Sequence, residues 1–355
     1  MEADEDRHDR VDQEIGALAG PLWAFALDRS GPRADGDLAR AGFTVTRESR
    51  GLLARCGEGR PCVAFRLPGD TRPELGHNVL TAAVLGAALA TARITSGEPG
   101  SVLVTEGVPV PGADEVDAAL TFRAGVHTWS WAPLAARTEL RVSVQGRSGP
   151  ATDALAGLVQ TFTAVAALRS RLAAGTSVQG IVTHGGESTD AVPEFAEARF
   201  GLRAPATAAL DRLVADVTAA AEGAALATGT KAVVERIGPD HSHFRENPVL
   251  SARFATHLAA CGIHSTPPEP GGSPGWSEVG DVSVRVPTLH PSVAILDPDH
   301  AVGTPEFAAA AVSARARSVL LATGAALART AVDLLAHPAL VSQAWDGFTA
   351  RSRQE

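Results

Sequence analysis

The stretch from Pro61 to Leu89 constrains the fold of this chain more than any other. It begins with the apolar run Cys62–Phe65, which is typical of a fully buried strand, and it ends in a helix of small residues. The polar loop between them carries Asp70 and His77. Because α/β enzymes place their chemistry where a strand ends and a helix begins, the sequence predicts an α/β protein with a functional site in this loop.

Composition limits the partners and the compartment. The chain has 355 residues, enough for two domains, and its net charge of -9 argues against a nucleic-acid partner. The cysteines Cys56, Cys62 and Cys261 cannot all pair, which favours a reducing cytoplasm. The first ten residues do not resemble a signal peptide, and the apolar helix predicted over Thr81–Ala92 is too short to span a bilayer. We therefore expect a cytoplasmic protein that binds neither nucleic acid nor membrane.

The order of the predicted elements indicates a discontinuous α/β domain, residues 1–138 and 248–355, interrupted by a second domain. Residues 139–247 read as β-α-β-β-α-β, the order of a ferredoxin-like unit. After this insertion the pattern predicts strands over Val282–Val286 and Thr288–Ile295. Two Ala-rich helices, Pro305–Ala322 and Gly324–Ala336, are predicted to close the chain.

Three motifs give the chain a resemblance to a known family. The first motif runs from Val63 to Leu89 and follows the pattern Val-Ala-Phe, then Cys-Gly-His-Asn, then Gly-Ala-Ala-Leu. The second runs from His184 to Pro205 and contains a Gly-Gly pair followed by Arg-Ala-Pro. Ser277 to Ser283, followed by His290-Pro291, is similar to the third motif. Together they resemble the aminoacylase-type zinc peptidases and amidohydrolases, in the aminobenzoyl-glutamate hydrolase and dipeptidase-like branch. The resemblance implies an α/β catalytic domain with an inserted ferredoxin-like lid, and a homodimer formed through that lid.

The resemblance also implies a site for two zinc ions, which this sequence matches only in part. His77 falls on the family's first histidine, while Leu75 or a deletion falls on the ligand cysteine and Arg123 on the second histidine. Of a paired glutamate only Glu106 remains, and His300 matches a late histidine. A permanent cation at a ligand position disfavours a metal pair, so we expect no metal cofactor. The alternative is a single zinc ion on His77, His300 and either Glu106 or Asp70.

The candidate site residues follow from these matches and from the local patterns. His77 and Asp70 form an acid/base pair in this hypothesis, since a carboxylate orients an imidazole; the alternative is a core histidine beside a loop acid. Trp129 lies two residues after His127 and could either bind a ligand or pack in the interior. The full set comprises the catalytic candidates His77, Asp70, His300 and His127 and the substrate-binding candidates Arg123, Asp190, Glu278 and Trp129.

Three functional hypotheses remain open at this point. The first is a metal-independent enzyme that acts on an amide or amino-acid conjugate by cyclisation, amide transfer or hydrolysis in bacterial specialised metabolism. The second is an amidohydrolase or dipeptidase that keeps one zinc ion. The third is a non-catalytic relative that binds a ligand or a partner.

Overall fold

The computed structural model describes residues 2–28, 34–48, 51–107, 109–146, 152–269 and 275–353. Its helices are α1 Glu2–Leu27, α2 Asp35–Arg40, α3 His77–Ile94, α4 Ala154–Leu168, α5 Thr207–Thr228, α6 Pro248–Ala260, α7 Val279–Ser283, α8 Pro305–Ala310, α9 Ala314–Ala336 and α10 Pro338–Ser352. Its strands are β1 Thr44–Glu48, β2 Gly51–Glu58, β3 Cys62–Leu67, β4 Gly100–Glu106, β5 Ala118–Leu120, β6 Arg123–Gly125, β7 Ala136–Gln145, β8 Ser177–His184, β9 Phe195–Ala204, β10 Lys231–Arg236, β11 Thr288–Leu289 and β12 Ser292–Ala294.

The chain divides into two compact units, as a two-domain α/β fold requires. The first comprises Met1–Ala132, Arg245–Pro268 and Val282–Glu355, and the second Pro133–Phe244 and Glu269–Asp281. The predicted fold class is confirmed. The predicted limits of the inserted domain, 139–247, stay a prediction, and the internal contacts assign the later segment Glu269–Asp281 to the second unit as well.

A mixed sheet of six strands, in the order β1-β2-β4-β3-β5-β11, organises the first unit. β3 pairs in parallel with β4 and β5, and β5 pairs in parallel with β11. Both faces of β3 are covered, and every residue of the strand except Arg66 is buried. This burial explains why the sequence of β3 is an apolar run rather than an alternation.

Helices α1, α3 and α9 pack together beside this sheet, and small residues allow their close approach. Gly86 of α3 faces Leu22 of α1, and a Cβ atom at Gly86 would lie 2.5 Å from Leu22 Cδ1. α3 is longer than the predicted Thr81–Ala92. By length and composition α3 and α9 could each cross a membrane, but 89% and 83% of their apolar windows are buried inside the protein, as expected for core helices.

The second unit has the predicted order β7-α4-β8-β9-α5-β10. Its four strands form an antiparallel sheet in the order β10-β7-β9-β8, which is the ferredoxin-like arrangement. β7 and β9 occupy the centre, and the alternating burial of β7 places one face against α4 and α5. β8 lies at an edge of this sheet.

Two strand predictions for the C-terminal segment are wrong. Val282–Val286 is not a strand, because α7 runs through Ser283 and the Val286 N–H donates to the Val282 carbonyl in a helical turn. Two valines four residues apart share one face in a helix as well as in a strand, so spacing alone could not separate the two. The predicted strand Thr288–Ile295 is divided into β11 and β12 around Pro291, which has no N–H for a continuous ladder.

The predicted closing helices also differ from those observed. The first breaks after Ala310, and Ser313 caps a new helix by accepting a hydrogen bond from the Ala316 N–H. α9 then continues through Gly324 without interruption, and a further helix, α10, begins at Pro338. Proline at the first helical position fits a helix start, a signal that the prediction did not use.

Three side-chain pairs connect α1 to α9 and to His337, the residue that follows α9, with one pair for each helical turn. Asp4 pairs with His337 at 3.0 Å, His8 with Asp333 at 2.8 Å and Asp12 with Arg329 at 2.5 Å. Both helices contribute residues four positions apart, so each set lies on a single face and the helices run antiparallel. This polar ladder fixes the N-terminal helix in its register on the core.

Asp333 is the centre of this ladder. Besides His8, it contacts His257 Nε2 at 2.6 Å and accepts a hydrogen bond from Arg253 Nε at 2.7 Å. Burial raises the pKa of Asp333, but hydrogen bonds from His257 and His8 outweigh it and hold the pKa well below its usual range. Burial lowers the pKa of His257 despite its contact with Asp333. The buried carboxylate is thus ionised and surrounded by positive or hydrogen-bonding groups.

We expect Asp333→Asn to lower the free energy of unfolding by about 3–5 kcal/mol at pH 7, because Arg253 would keep its charge without its partner. The pKa of Asp333 is lower in the folded protein than in the unfolded chain. Ionised Asp333 therefore stabilises the fold at pH values above the unfolded-state pKa, and this stabilisation is lost as the pH falls through the folded-state pKa. The difference in free energy of unfolding between the wild type and Asp333→Asn should therefore become smaller below about pH 4.

Urea unfolding at several pH values measures this difference. Glu14→Gln, which breaks an exposed pair between α1 and Arg93 of α3, is the matched control and should cost less than about 1 kcal/mol. If Asp333→Asn and Glu14→Gln lowered the free energy of unfolding by the same amount, the central position of Asp333 in the ladder would be contradicted.

Candidate functional site

The carboxyl ends of β3, β5 and β11 meet at one edge of the sheet in the first unit. Phe65 pairs with Leu120, and Leu120 pairs with Leu289, all in parallel. The residues that follow them lie side by side: the Thr121 hydroxyl donates to the Arg66 carbonyl at 3.0 Å. In open α/β sheets ligands bind at this edge, and the predicted loop with Asp70 and His77 extends from it.

Asp70 and His77 are in direct contact, as the acid/base hypothesis requires. His77 Nδ1 forms a short hydrogen bond with Asp70 Oδ1, while Arg72 Nε donates to Asp70 Oδ2 at 2.9 Å. Burial raises the pKa of Asp70, but hydrogen bonds from His77 and from the Arg72 backbone outweigh it, and the pKa lies below its usual value. An ionised Asp70 on Nδ1 orients the ring and leaves Nε2 for proton transfer.

Gly76 determines where the His77 side chain is placed. It has a φ of +71°, which only glycine adopts readily, and it immediately precedes α3. A Cβ atom at this position would lie 2.6 Å from the Cβ of Ala124 in β6. The close approach brings the start of α3 against β6, whose first residue is Arg123.

Arg123 is the most unusual charged residue at this edge. Its backbone N–H donates to the Pro291 carbonyl at 2.8 Å, and burial lowers the pKa of its guanidinium. Among the residues that the structure describes, no carboxylate forms an ion pair with it. Arg123 is partly buried, and a guanidinium that loses water without gaining a counter-ion favours an anionic ligand.

His290 and Arg66 also lie near Arg123, and neither was among the predicted site residues. His290 is buried, and burial together with the positive charges of Arg123 and Arg66 lowers its pKa to about 3. The imidazole is therefore neutral near pH 7. An arginine inside the apolar run Cys62–Leu67 was the available sequence signal, because a buried strand rarely contains a charge without a reason.

His127 and Trp129 stack on each other. Their ring centroids lie 4.4 Å apart with an interplanar angle of 4°, and both side chains are partly exposed. The Trp129 N–H donates to the Ser292 carbonyl at 2.9 Å, which attaches this segment to β12. The stack is compatible with both alternatives for Trp129, since the pair could pack against the protein or present a ring edge to a ligand.

The alternative zinc ligands do not assemble into a common site. His300 Nδ1 lies 2.9 Å from Asp299 on an exposed loop, and Glu106 lies 3.4 Å from Arg47 at the end of β4. In the described part of the chain, neither joins His77 in a group close enough to share one ion. With Arg123 at the edge as well, these residues do not fit a two-zinc centre.

The described residues contain one group with metal-like spacing, and it lies elsewhere. It consists of His8, His257 and Asp333, the centre of the polar ladder. Arg253 already occupies one carboxylate oxygen of Asp333, which favours the structural interpretation.

Two predicted substrate-binding residues belong to the second unit. Asp190 is exposed in the turn between β8 and β9, where its N–H donates to the Ser188 hydroxyl at 3.1 Å. Glu278 is exposed at the start of α7, and its carbonyl accepts from the Asp281 N–H. Their roles stay predictions.

Comparison with known proteins supports the resemblance found in the sequence. A mouse Xaa-Arg dipeptidase is 26% identical over 399 aligned positions, which cover 99% of this chain and 92% of the relative. An aminobenzoyl-glutamate utilization protein from Klebsiella pneumoniae matches 91% of this chain and 98% of its own, with a TM-score of 0.66 at 14% identity. No family model matches the chain.

A dinuclear metal-binding peptidase of the M20 family from Bacillus subtilis matches 93% of this chain and 99% of its own, with a TM-score of 0.63 at 16% identity. All three similarities extend over both units of the fold. The resemblance to the aminoacylase-type peptidases and amidohydrolases is therefore confirmed, and the chain has their two-domain fold.

Proposed function

We propose that this protein is an amidohydrolase that cleaves the C–N bond of an amide or amino-acid conjugate, with His77 and Asp70 as its acid/base pair. The observation that carries the proposal is the contact between Asp70 and His77 Nδ1 at the carboxyl edge of β3, where Gly76 brings the start of α3 against β6. The family's activity toward amide bonds supports the same reaction class.

In this mechanism His77 Nε2 takes a proton from water as the oxygen attacks the amide carbon. The same proton then passes to the leaving nitrogen, so that a carboxylic acid and an amine are formed and atoms balance. Asp70 stabilises the imidazolium that exists between the two steps. In amide transfer or cyclisation the same groups would act with an amine as the nucleophile in place of water. Such a reaction would build an amide rather than cleave one.

We expect His77→Ala and Asp70→Asn each to lower kcat/KM by about 10²–10⁴-fold, since the first removes the general acid/base and the second removes the carboxylate that orients it and stabilises its charged form. The measurement is turnover of a panel of N-acyl amino acids and dipeptides, including Xaa-Arg dipeptides. Asp211→Asn is the matched control, because it breaks another carboxylate–arginine contact, with Arg236, on the exposed surface of the second unit. Wild-type turnover that His77→Ala leaves unchanged would contradict the mechanism, and no turnover of any amide would favour a binding protein.

A zinc-dependent dipeptidase is the second candidate, favoured by the name of the mouse relative and by the dinuclear metal of the Bacillus subtilis peptidase. The donor set at the edge argues for the metal-independent reaction, so we expect far less than one zinc ion per chain in protein purified without chelators. Turnover should persist in dipicolinate. A stoichiometric zinc ion that His77→Ala removes together with activity would overturn this expectation in favour of the dipeptidase.

We also propose that two copies of the chain associate through β8 of the second unit. Ile181 and Val182 of this edge strand are 64% and 52% exposed, which is unusual for apolar residues of a sheet. An edge strand presents unpaired backbone groups that a second copy can satisfy by strand addition.

Ile181→Glu should convert a dimer into a monomer in sedimentation velocity at micromolar concentration, because two carboxylates would face each other at the interface. Leu226→Glu, at an 85% exposed position of α5, is the control for an apolar surface residue outside β8. A wild-type protein that is monomeric at every concentration would rule out this dimer.

A further inference from the structure

We propose that a cavity in the first unit, away from the acid/base pair, binds a small zwitterion, meaning a free amino acid or a short peptide with free ends. The carboxylate of this ligand contacts Arg55, and its ammonium group lies toward Glu58 and Glu115. The inference goes beyond the proposed function, because the cavity contains none of the residues that the reaction uses.

The cavity has a volume of about 540 Å³, and small-molecule sites in proteins have volumes of about 300–1,000 Å³. Its walls come from β1, β2 and β4 and from the segment that leads into β5. Leu53 of β2 and Leu103 of β4 are its apolar lining residues, and Thr44 and Thr46 of β1 are its hydroxyl-bearing ones. Apolar walls with a few polar groups are typical of a ligand site.

Strand register directs the Arg55 side chain into this cavity. Arg55 pairs with Thr44 on one side and with Leu103 on the other, so the three side chains share one face of the sheet. That face carries the smaller core of Leu103 and Cys62, which is separate from the core around α3 and α9. Arg55 Nη2 lies 3.7 Å from Cys62 Sγ, and the arginine is partly buried. The guanidinium therefore lies against apolar residues rather than in open solvent.

Arg55 lies away from the acid/base pair both along and across the sheet. β4 separates β2 from β3, which amounts to two strand spacings or roughly 10 Å. Arg55 pairs with Leu103, and Leu103 pairs with Ala64 of β3. Ala64 lies three residues before Leu67, where β3 ends and the loop to His77 begins, and this adds roughly another 10 Å along the strand.

Arg55 has no counter-charge in the described part of the chain. Its guanidinium forms no ion pair there, and the Cys62 thiol that it contacts is only a weak hydrogen-bond acceptor. Thr44, its partner on β1, adds a hydroxyl group to the same face. A guanidinium matches a carboxylate with two parallel hydrogen bonds, so a ligand carboxylate fits this position.

Two glutamates among the lining residues favour a zwitterion over a plain anion. Glu58 and Glu115 are exposed, and within the described ranges neither forms an ion pair with Arg55. They would repel a phosphate dianion, as would the net charge of -9 on the whole chain. A zwitterion has no net charge, and its ammonium group complements the glutamates while its carboxylate complements Arg55.

Internal contacts hold the wall that carries Glu115 in place without a ligand. The Arg60 guanidinium donates to the Ala113 carbonyl at 3.1 Å and to the Asp114 carbonyl at 3.2 Å. The same guanidinium pairs with Asp117 at 2.6 Å. A wall that is formed in advance lowers the cost of ordering the site when a ligand binds.

Isothermal titration calorimetry tests the site with free amino acids, dipeptides, and the N-acetyl and primary amide derivatives of the same amino acids. We expect at least one free amino acid or dipeptide to bind about tenfold or more tightly than either derivative, because each derivative lacks one of the two charges. Separate titrations of amino acids and dipeptides show which of the two the cavity takes. Arg55→Gln should remove the preference over the amide, and Glu115→Gln should reduce the preference over the N-acetyl derivative.

The same titrations in His77→Ala prevent turnover and should give the wild-type affinity, because His77 is not part of the cavity. Arg93→Gln, on the exposed part of α3, is the matched control for loss of an arginine and should bind like wild type. Circular dichroism establishes that the variants are folded, and Glu115→Gln, on an exposed segment, serves if Arg55→Gln is unstable.

Three results would overturn the proposal. The first is equal affinity for the zwitterion and both of its derivatives in the wild type. The second is tighter binding of inorganic phosphate than of every zwitterion tested. The third is loss of binding in His77→Ala, which would assign the ligand to the acid/base pair instead of the cavity.

Discussion

Parallel pairing of one buried strand, β3, with both of its neighbours determines where the candidate site lies. Because β4, β3, β5 and β11 run in the same direction, their carboxyl ends meet at one edge, and the loop after β3 leads there directly. The strand register alone brings Arg66, Thr121 and His290 into one row, whatever the conformation of the connecting loops. The positions of Asp70 and His77 depend on the same strand, since their loop leaves its end and returns through Gly76 into α3.

This edge differs in its electrostatics from the metal site that the family resemblance implies. Metal ligands supply negative charge and lone pairs, while Arg123 and Arg66 supply positive charge. The ionised Asp70 that contacts His77 is also bonded to Arg72, so its negative charge is already compensated. The same scaffold thus presents hydrogen-bond donors at the end of β5 and β11, and one oriented imidazole at the end of β3. An anionic substrate with an amide bond fits this distribution better than a cation does.

Sequence reasoning identified the parts of the fold that local patterns encode. The buried run of β3, the small-residue helix α3 and the ferredoxin-like order of the second unit each have a periodicity that one element type satisfies. The segment Val282–Val286 failed, because valines four apart fit both a strand and a helical turn and only packing against the core separates them. Asp70 and His77 were predictable as neighbours in a short loop. His290 was not, because its relation to Arg66 and Arg123 arises from pairing between strands that lie far apart in the sequence.

Asp333, which is buried, and Arg123, which is partly buried, carry opposite charges and have different surroundings. Asp333 contacts two histidines and Arg253, and these partners come from α1 and α6, so the charge is satisfied within the fold. Arg123 forms no ion pair with the described residues, although burial lowers the pKa of its guanidinium. Folding alone would favour replacing that arginine by an apolar residue of similar volume. A guanidinium for which the described residues supply no counter-charge thus differs from a carboxylate whose partners all come from the fold, and a ligand of opposite charge is its natural complement.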